Sequence, residues 1–290
     1  MNQKDQTANV SVLIPTKNEE KQLARCLDNV KGWAKEIVVV DSGSTDNTLA
    51  IAEQYGATVL NFDYRGGWPK KRNWALKTHS WKADWILLLD ADEILTEAVK
   101  SEIKQVIESG KHDGYWINFE IVFLGRQLRH GDTSLRKLSL FRAGKGMYER
   151  RLENQDQSML DMEVHEHVVV DGSVGRLSSS IRHENIQSLS HYIQKHDAYS
   201  NWEAHTWVFG DEGSLTPRLF GNQAERRRWL RKSLMNMPGF PVIVFVYTYF
   251  LRLGILDGKP GFFYALFRMV QFFHIKAKIY ELSIQPVDSQ

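Results

Sequence analysis

The chain has 290 residues, 42% of them hydrophobic and 25% charged, and 37 Lys and Arg stand against 35 Asp and Glu for a net charge of +2. This length allows one large domain or one domain with an appendage, and the near-balanced charge supplies no bulk basicity for nucleic acid. The single cysteine, Cys26, excludes an internal disulfide and fits a reducing compartment. The first nine residues are polar, which gives no secretory signal, and no run of ~18 uninterrupted apolar residues provides an ordinary spanning helix.

Val10-Ser-Val-Leu-Ile-Pro15 reads as a first buried strand, and Thr16–Glu20 as a loop and helix start. Lys21–Val30 has helical spacing, with Leu23, Leu27 and Val30 on one face. Glu36–Val40 is a second buried strand, followed by the turn Asp41-Ser-Gly-Ser-Thr-Asp46 and a helix over Thr48–Tyr55. Ala57–Phe62 is a third strand. This β-α-β-α-β order predicts a parallel sheet with right-handed crossovers, a nucleotide-binding half-sheet without the Gly-x-Gly-x-x-Gly fingerprint. A mononucleotide is therefore favoured over a dinucleotide. Asp41, at the end of the second strand, is placed to accept from a nucleobase imide or a ribose hydroxyl; the other reading is a helix cap.

Tyr64–Asn73 is a glycine-containing basic loop that leads into a helix near Arg72. Lys70, Lys71 and Arg72 there either meet a diphosphate at the helix N-terminus or form a solvated face. Trp85-Ile-Leu-Leu-Leu-Asp-Ala-Asp-Glu93 follows, an apolar run ending in three acids. A run this apolar predicts a strand buried on both faces, and ligands in open α/β sheets sit beyond the carboxyl ends of such strands. Asp90 and Asp92 share side-chain parity on an extended chain, so both can point into one site. Two converging carboxylates repel unless a cation lies between them, and hard oxygen ligands favour Mg²⁺ or Mn²⁺. The alternative is a strand end before a helix N-terminus, with Asp92 or Glu93 near the dipole.

Val12-Leu-Ile-Pro-Thr-Lys-Asn-Glu19, Val39-Val-Asp-Ser-Gly-Ser-Thr-Asp46 and Leu89-Asp-Ala-Asp-Glu93 together resemble the inverting glycosyltransferase family 2. The resemblance implies an α/β fold of the GT-A (Rossmann-like) type, a central, mostly parallel sheet flanked by helices that binds a nucleotide sugar. It also implies that Pro15, Asn18 and Glu19 line the nucleotide pocket and that Asp41 contacts the base. Asp90 and Asp92 would then hold ribose and metal, with Lys71 and Arg72 on the loop or phosphates.

Gly114–Phe123 and Leu135–Arg142 read as strands, the second bordered by Arg136 and Arg142. Met162-Glu-Val-His-Glu-His-Val168 follows, and its Val-His-Glu resembles a subgroup of family 2, the lipopolysaccharide core β-1,4-glucosyltransferases, in which that Glu is the expected base. An inverting transfer needs one such group to remove the acceptor's proton, and Glu166 is the choice. The other reading pairs Glu163 or Glu166 with an arginine, and His165 and His167 read as structural. Leu177–His183 leads to a helix over Ser188–Trp207. His183 is either a third metal ligand, as the resemblance implies, or a structural histidine.

Tyr249–Tyr264 and Lys276–Glu281 extend the resemblance to that subgroup over nearly the whole chain. Basic Arg226–Lys232, apolar Phe240–Leu256 interrupted by Arg252, and aromatic Phe262–Phe273 suit the face of an anionic membrane, with their inner faces as core.

These readings predict a disordered tail (1–9), a catalytic domain (10–185, divided at 93/94 into nucleotide-sugar and acceptor halves) and a helical membrane-associating extension (186–290). The expected reaction moves a hexose, glucose by resemblance, from a UDP-sugar to a lipopolysaccharide-core or other glycan or lipid-linked hydroxyl. It would run with Mg²⁺ or Mn²⁺ on the cytoplasmic face of the inner membrane. A polyprenyl-linked exopolysaccharide intermediate or a protein side chain is the alternative acceptor, and a non-catalytic nucleotide-sugar scaffold the alternative role.

Overall fold

A computed structural model describes residues 7–66, 68–133, 135–150, 167–183, 189–209, 220, 235 and 237–284. The chain forms two compact units, the first built from residues 1–122, 134–149 and 156–187, the second from 123–133, 150–155 and 188–290. The short segment 123–133, within the span 94–185 that the sequence reading gives to the acceptor half, groups with the second unit.

The first unit is a mixed, mostly parallel sheet. β1 (Ala8–Thr16), α1 (Leu23–Val30), β2 (Ala34–Asp41), α2 (Thr48–Gln54), β3 (Thr58–Asn61), α3 (Lys71–Thr78) and β4 (Trp85–Leu88) form its N-terminal half. β5 (Glu93–Ile94), α4 (Glu97–Ser109), β6 (Gly114–Phe123), β8 (Leu135–Arg142), β9 (Gly146–Tyr148), β10 (Val168–Val170) and β11 (Val174–His183) complete it, while β7 (Arg126–Gln127) falls in the second unit. The strand order is β3-β2-β1-β4-β8-β6-β11-β5, and β9 pairs with β10 in a separate two-stranded sheet.

β1 pairs in parallel with both β2 and β4, so the chain reverses its direction of growth beside β1. That reversal opens a crevice at the carboxyl ends of β1, β2 and β4. The strands have the composition for this place: Val10, Val12, Leu13 and Ile14 are fully buried, as are Val38, Val39 and Val40. Each such side chain contributes roughly 1.5–3 kcal/mol relative to exposure. Helix α1 buries Leu23, Cys26, Leu27 and Val30, the i, i+3, i+4, i+7 stripe of an amphipathic helix packed on a sheet. Cys26 is a packing residue, and burial together with nearby Glu93, Asp92 and Asp90 raises its thiol well above the usual value. Helix α4 starts where Thr96 Oγ1 accepts from Val99 N (3.2 Å) and stops at Gly110 in the left-handed region (φ 61°).

In the second unit, α5 (Leu189–Phe209), α6 (Phe240–Val246) and α7 (Gly258–Ile284) are the main helices. A π-turn, Tyr247–Leu251, and a 3₁₀ turn, Gly254–Asp257, link α6 to α7. Phe240, Val244 and Ile275 pack with Met235, and Phe123 lies edge-on to Tyr192, Tyr264 and Phe267. Asp257 accepts from the amides of Arg129 (3.1 Å) and His130 (2.9 Å), which is how segment 123–133 is bound into this unit. Among the described residues no single helix is long and apolar enough to cross a membrane, although the pair Phe240–Leu251 and Gly254–Ile284, bent by 70°, has that length and composition together.

Candidate active site

The crevice is organised by Asp41. Its Oδ1 accepts from Thr16 Oγ1 (2.9 Å) and Ser44 Oγ (2.5 Å), and its Oδ2 from the amides of Gly43 (2.9 Å) and Ser44 (2.8 Å). A carboxylate has about four acceptor positions, and here donors from within the chain fill them. Asp41 therefore shapes the loop after β2, the capping side of its two sequence readings. Asn18, in the left-handed region (φ 57°), joins the two loops: its amide donates to Ser44 Oγ and its Oδ1 accepts from Thr45 N, each at 2.8 Å. Glu19 N donates to Thr48 Oγ1 (2.8 Å), and Pro15 stands opposite Val40 in the β1–β2 register. Pro15, Asn18, Glu19 and Asp41 thus meet at one end of the sheet.

The start of α3 ties the strand ends together. Lys71 Nζ donates to Thr16 O and to Ser42 Oγ, each at 2.8 Å. Arg72 pairs with Asp90 Oδ1 and lies 5.7 Å from the ring of Tyr148. Asn73 exchanges hydrogen bonds with the Tyr148 backbone, 2.9 Å each way. Lys70, Lys71 and Asn73 have no exposed surface and Arg72 very little, so the solvated-face alternative for this basic stretch is set aside. A buried ammonium requires polar partners, and for Lys71 the ends of β1 and β2 supply them.

The three acids after β4 do not lie on an extended strand. Glu93 N donates to Asp90 O (3.0 Å), closing a turn, and Glu93 begins β5. The parity argument for Asp90 and Asp92 is overridden by this turn, and so is the helix-start alternative. Asp90 faces cations: Arg72, and Lys137 Nζ at 3.0 Å from its Oδ2. Asp92 Oδ2 lies 3.2 Å from His183 Nε2, and Glu93 Oε1 lies 3.9 Å from His183 Nδ1. His183 is opposite Glu93 in the antiparallel β11–β5 register.

Asp92, Glu93 and His183 each offer one donor atom, all within 4.8 Å of one another. Two carboxylate oxygens and an imidazole nitrogen suit Mg²⁺ or Mn²⁺, the imidazole favouring Mn²⁺. The donor chemistry therefore fits the divalent ion expected from the sequence, with Glu93 in the group and Asp90 outside it.

Glu93 is 1% exposed, and its carboxyl is raised above the usual range by burial and by Asp90 and Asp92, against the pull of Lys137 and His183. His183 is also raised: burial works the other way, but Asp92 outweighs it. Burial opposes the charge on Lys137 too, and Asp90 and Glu93 override it.

Sequence reading gives no role to Lys137 and no ligand role to Glu93. The available signal for Lys137 is a cation inside a strand between Leu135 and the buried run Leu138–Phe141. Glu166 and its neighbours Glu163 and His165 lie outside the described residues, as does Arg226–Lys232. His167 is described, and its amide donates to Glu149 Oε1 (3.3 Å).

The family model described as Glycosyl transferase family 2 matches residues 11–173. An uncharacterised glycosyltransferase of Rickettsia conorii is 28% identical over 264 residues, 86% of this chain and 90% of that protein. The lipopolysaccharide core biosynthesis glycosyltransferase LpsC of Rhizobium meliloti is 29% identical over 287 residues, 94% and 92% of the two chains. A crystal structure of S. aureus TarS aligns over 94% of this chain and 91% of that chain, with 18% identity and a TM-score of 0.44.

Proposed function

The chain belongs to glycosyl transferase family 2, and from that premise we propose that it transfers a hexose from a UDP-sugar to a hydroxyl of a lipopolysaccharide-core or related lipid-linked glycan, with inversion at the anomeric carbon. The observation that carries this reading is the Asp92–Glu93–His183 group at the carboxyl end of β4, where a divalent ion would take up charge developing on the leaving diphosphate. The length-wide similarity to LpsC supports the acceptor class. Glucose as the sugar and the cytoplasmic face of the inner membrane as the place are part of the same proposal.

In this mechanism Asp41 and Asn18 hold the loops that receive the nucleotide, with Pro15 and Glu19 beside them. Lys71 fixes the ends of β1 and β2, and Arg72 and Lys137 hold Asp90. Glu166 accepts the proton from the acceptor hydroxyl as that oxygen attacks the face opposite the departing diphosphate.

A thermal-shift screen with Mn²⁺ and a panel of nucleotide sugars tests the donor, since a ligand bound to the folded state raises the melting point by mass action. A Mn²⁺-dependent shift with a UDP-hexose is the expected result, and a panel with no shift overturns the donor assignment. Glu166→Gln should abolish transfer and keep UDP binding; transfer at the wild-type rate removes Glu166 as the base.

A further inference from the structure

The outer surface of α6 and the turns after it is apolar where an ordinary amphipathic helix would be polar. Phe240, Pro241, Val244 and Thr248 face inward and are buried. Val242, Ile243, Val246, Phe250, Leu251 and Leu256 are exposed, Val242 by 58% and Leu251 by 70%. Residues 240–251 contain no charged side chain, so this element is apolar all round yet covered by protein on one side only. A surface of this kind marks a site of association.

The corner is shaped by packing. Leu253 takes the left-handed conformation (φ 59°), and Gly254 and Gly261 meet so closely that a Cβ on Gly261 would lie 2.1 Å from Gly254 O. Between Met237 and Phe263 the charged residues are Arg252, Asp257 and Lys259. Asp257 is buried on the amides of Arg129 and His130. Arg252 approaches Asp132 at 3.5 Å with about half its side chain exposed, and Lys259 is exposed. Asp132, a third exposed, is shared by Arg252 and Arg268, so with Lys259 the exposed charge at this corner is cationic on balance, beside Tyr247, Phe262 and Phe263.

We infer that this bent corner inserts into one leaflet of an anionic bilayer, its apolar residues among the acyl chains and Arg252 and Lys259 at the headgroups. Charge complementarity selects the bilayer as occupant: aromatic rings and cations flanking an apolar wedge match the lipid interface. A second copy would bring the same net positive charge to the face, which an anionic bilayer neutralises and a copy of this chain does not. The inference deepens the reading of a lipid-linked acceptor, but it stands on the second unit alone.

Flotation of the full chain with vesicles tests it, using phosphatidylglycerol–phosphatidylethanolamine against phosphatidylcholine. The wild type should float with the anionic vesicles and stay bound in ~1 M salt, where screening shortens electrostatics to about 3 Å. Phe250→Asp with Leu251→Asp should lower the bound fraction at least tenfold with an unchanged melting point. Arg252→Gln with Lys259→Gln should abolish the preference for anionic lipid. In Phe250→Trp, the indole emission added to that of the nine native tryptophans, read as the difference from the wild type, should shift to the blue only with vesicles, a readout that does not require a disruptive variant. A wild type that stays at the bottom, or is released entirely by salt, overturns the inference. So does a dimer that the double Asp variant splits, since the face would then belong to a second copy. The donor-dependent thermal shift of the same preparations reports the sugar-nucleotide site separately, so either assignment can fail without the other.

Discussion

Lys137 Nζ lies 2.6 Å from Glu93 Oε1 and 3.0 Å from Asp90 Oδ2, so one ammonium on β8 bridges two of the three acids that follow β4. Removing it leaves the buried Glu93 without its nearest cation. Lys137→Met should cost about 2–3 kcal/mol near neutral pH, below the usual 3–5 for a broken buried pair because a third of the lysine side chain is open to water. Glu93 is already raised, and the variant raises it further. A raised acid binds its proton more tightly folded than unfolded, so the variant should lose stability as pH climbs from the ordinary Glu value towards the folded one. Denaturant melts of Lys137→Met should therefore show a deficit that shrinks on acidification, and adding Glu93→Gln should remove most of it.

Asp41→Asn should be severe despite its small size. The amide cannot accept from four donors, and its NH₂ must face a hydroxyl or backbone N–H that also donates. Of these donors Thr16 is buried and Gly43 and Ser44 are open to water in part or whole, so the loss should be about 1–3 kcal/mol in total. Since the loop it shapes is the proposed nucleotide edge, donor affinity measured by calorimetry should fall with the melting point. A variant with full stability and weakened UDP binding would instead identify Asp41 as a direct ligand.

Metal affinity should depend on His183 and on pH. The raised imidazole is protonated over a wider range than usual, and a metal ligand must be deprotonated. Mn²⁺ affinity should thus rise by roughly tenfold per pH unit up to the folded value and then level off. In the metal-free protein the sign is opposite: the His183–Asp92 contact stabilises fully below the unfolded histidine value and fades as pH rises through the folded one. His183→Ala should weaken Mn²⁺ binding and flatten both dependences, as read by titration calorimetry and by melting without metal.

Glu36 provides an acid-side test away from the site. Burial opposes its ionisation, but Ser11 Oγ at 2.7 Å, the Lys82 amide and His79 outweigh that and hold its carboxyl below the usual value. Its contribution is present above the unfolded carboxylate value of about 4.3 and is lost as pH falls through the folded value. Glu36→Gln should lose about 1–3 kcal/mol at pH 7 and show a flatter acid limb in urea melts.

The parts of this architecture legible in sequence are those written locally. β1, β2 and β4 are runs of Val, Ile and Leu too apolar for any place except the middle of a sheet, and α1 carries its stripe in plain spacing. What stayed hidden is set by partners distant in sequence. β5 is two residues long and exists because β11 lies beside it, 90 positions later at His183 and Glu93. The capping of the β2 loop by Asp41 depends on Thr16, a donor from another strand. Lys137 finds its acids across 44 and 47 residues, and segment 123–133 is bound by Asp257 more than 120 residues on. Residue type announced that charge chemistry was present; long-range pairing decided which charges meet.

The β11–β5 register also sets a timetable. Asp92 and Glu93 leave the ribosome well before His183, which is 91 residues behind Asp92. At about 5–20 residues per second the two acids wait several seconds for the strand that carries their partner. Through that interval the N-terminal half has its hydrophobic strands but an incomplete donor set, with Lys137 of β8 arriving before His183. Any metal affinity of this group would thus be a late marker of folding, since a chain stalled before residue 183 would carry the acids of the motif without the group they form.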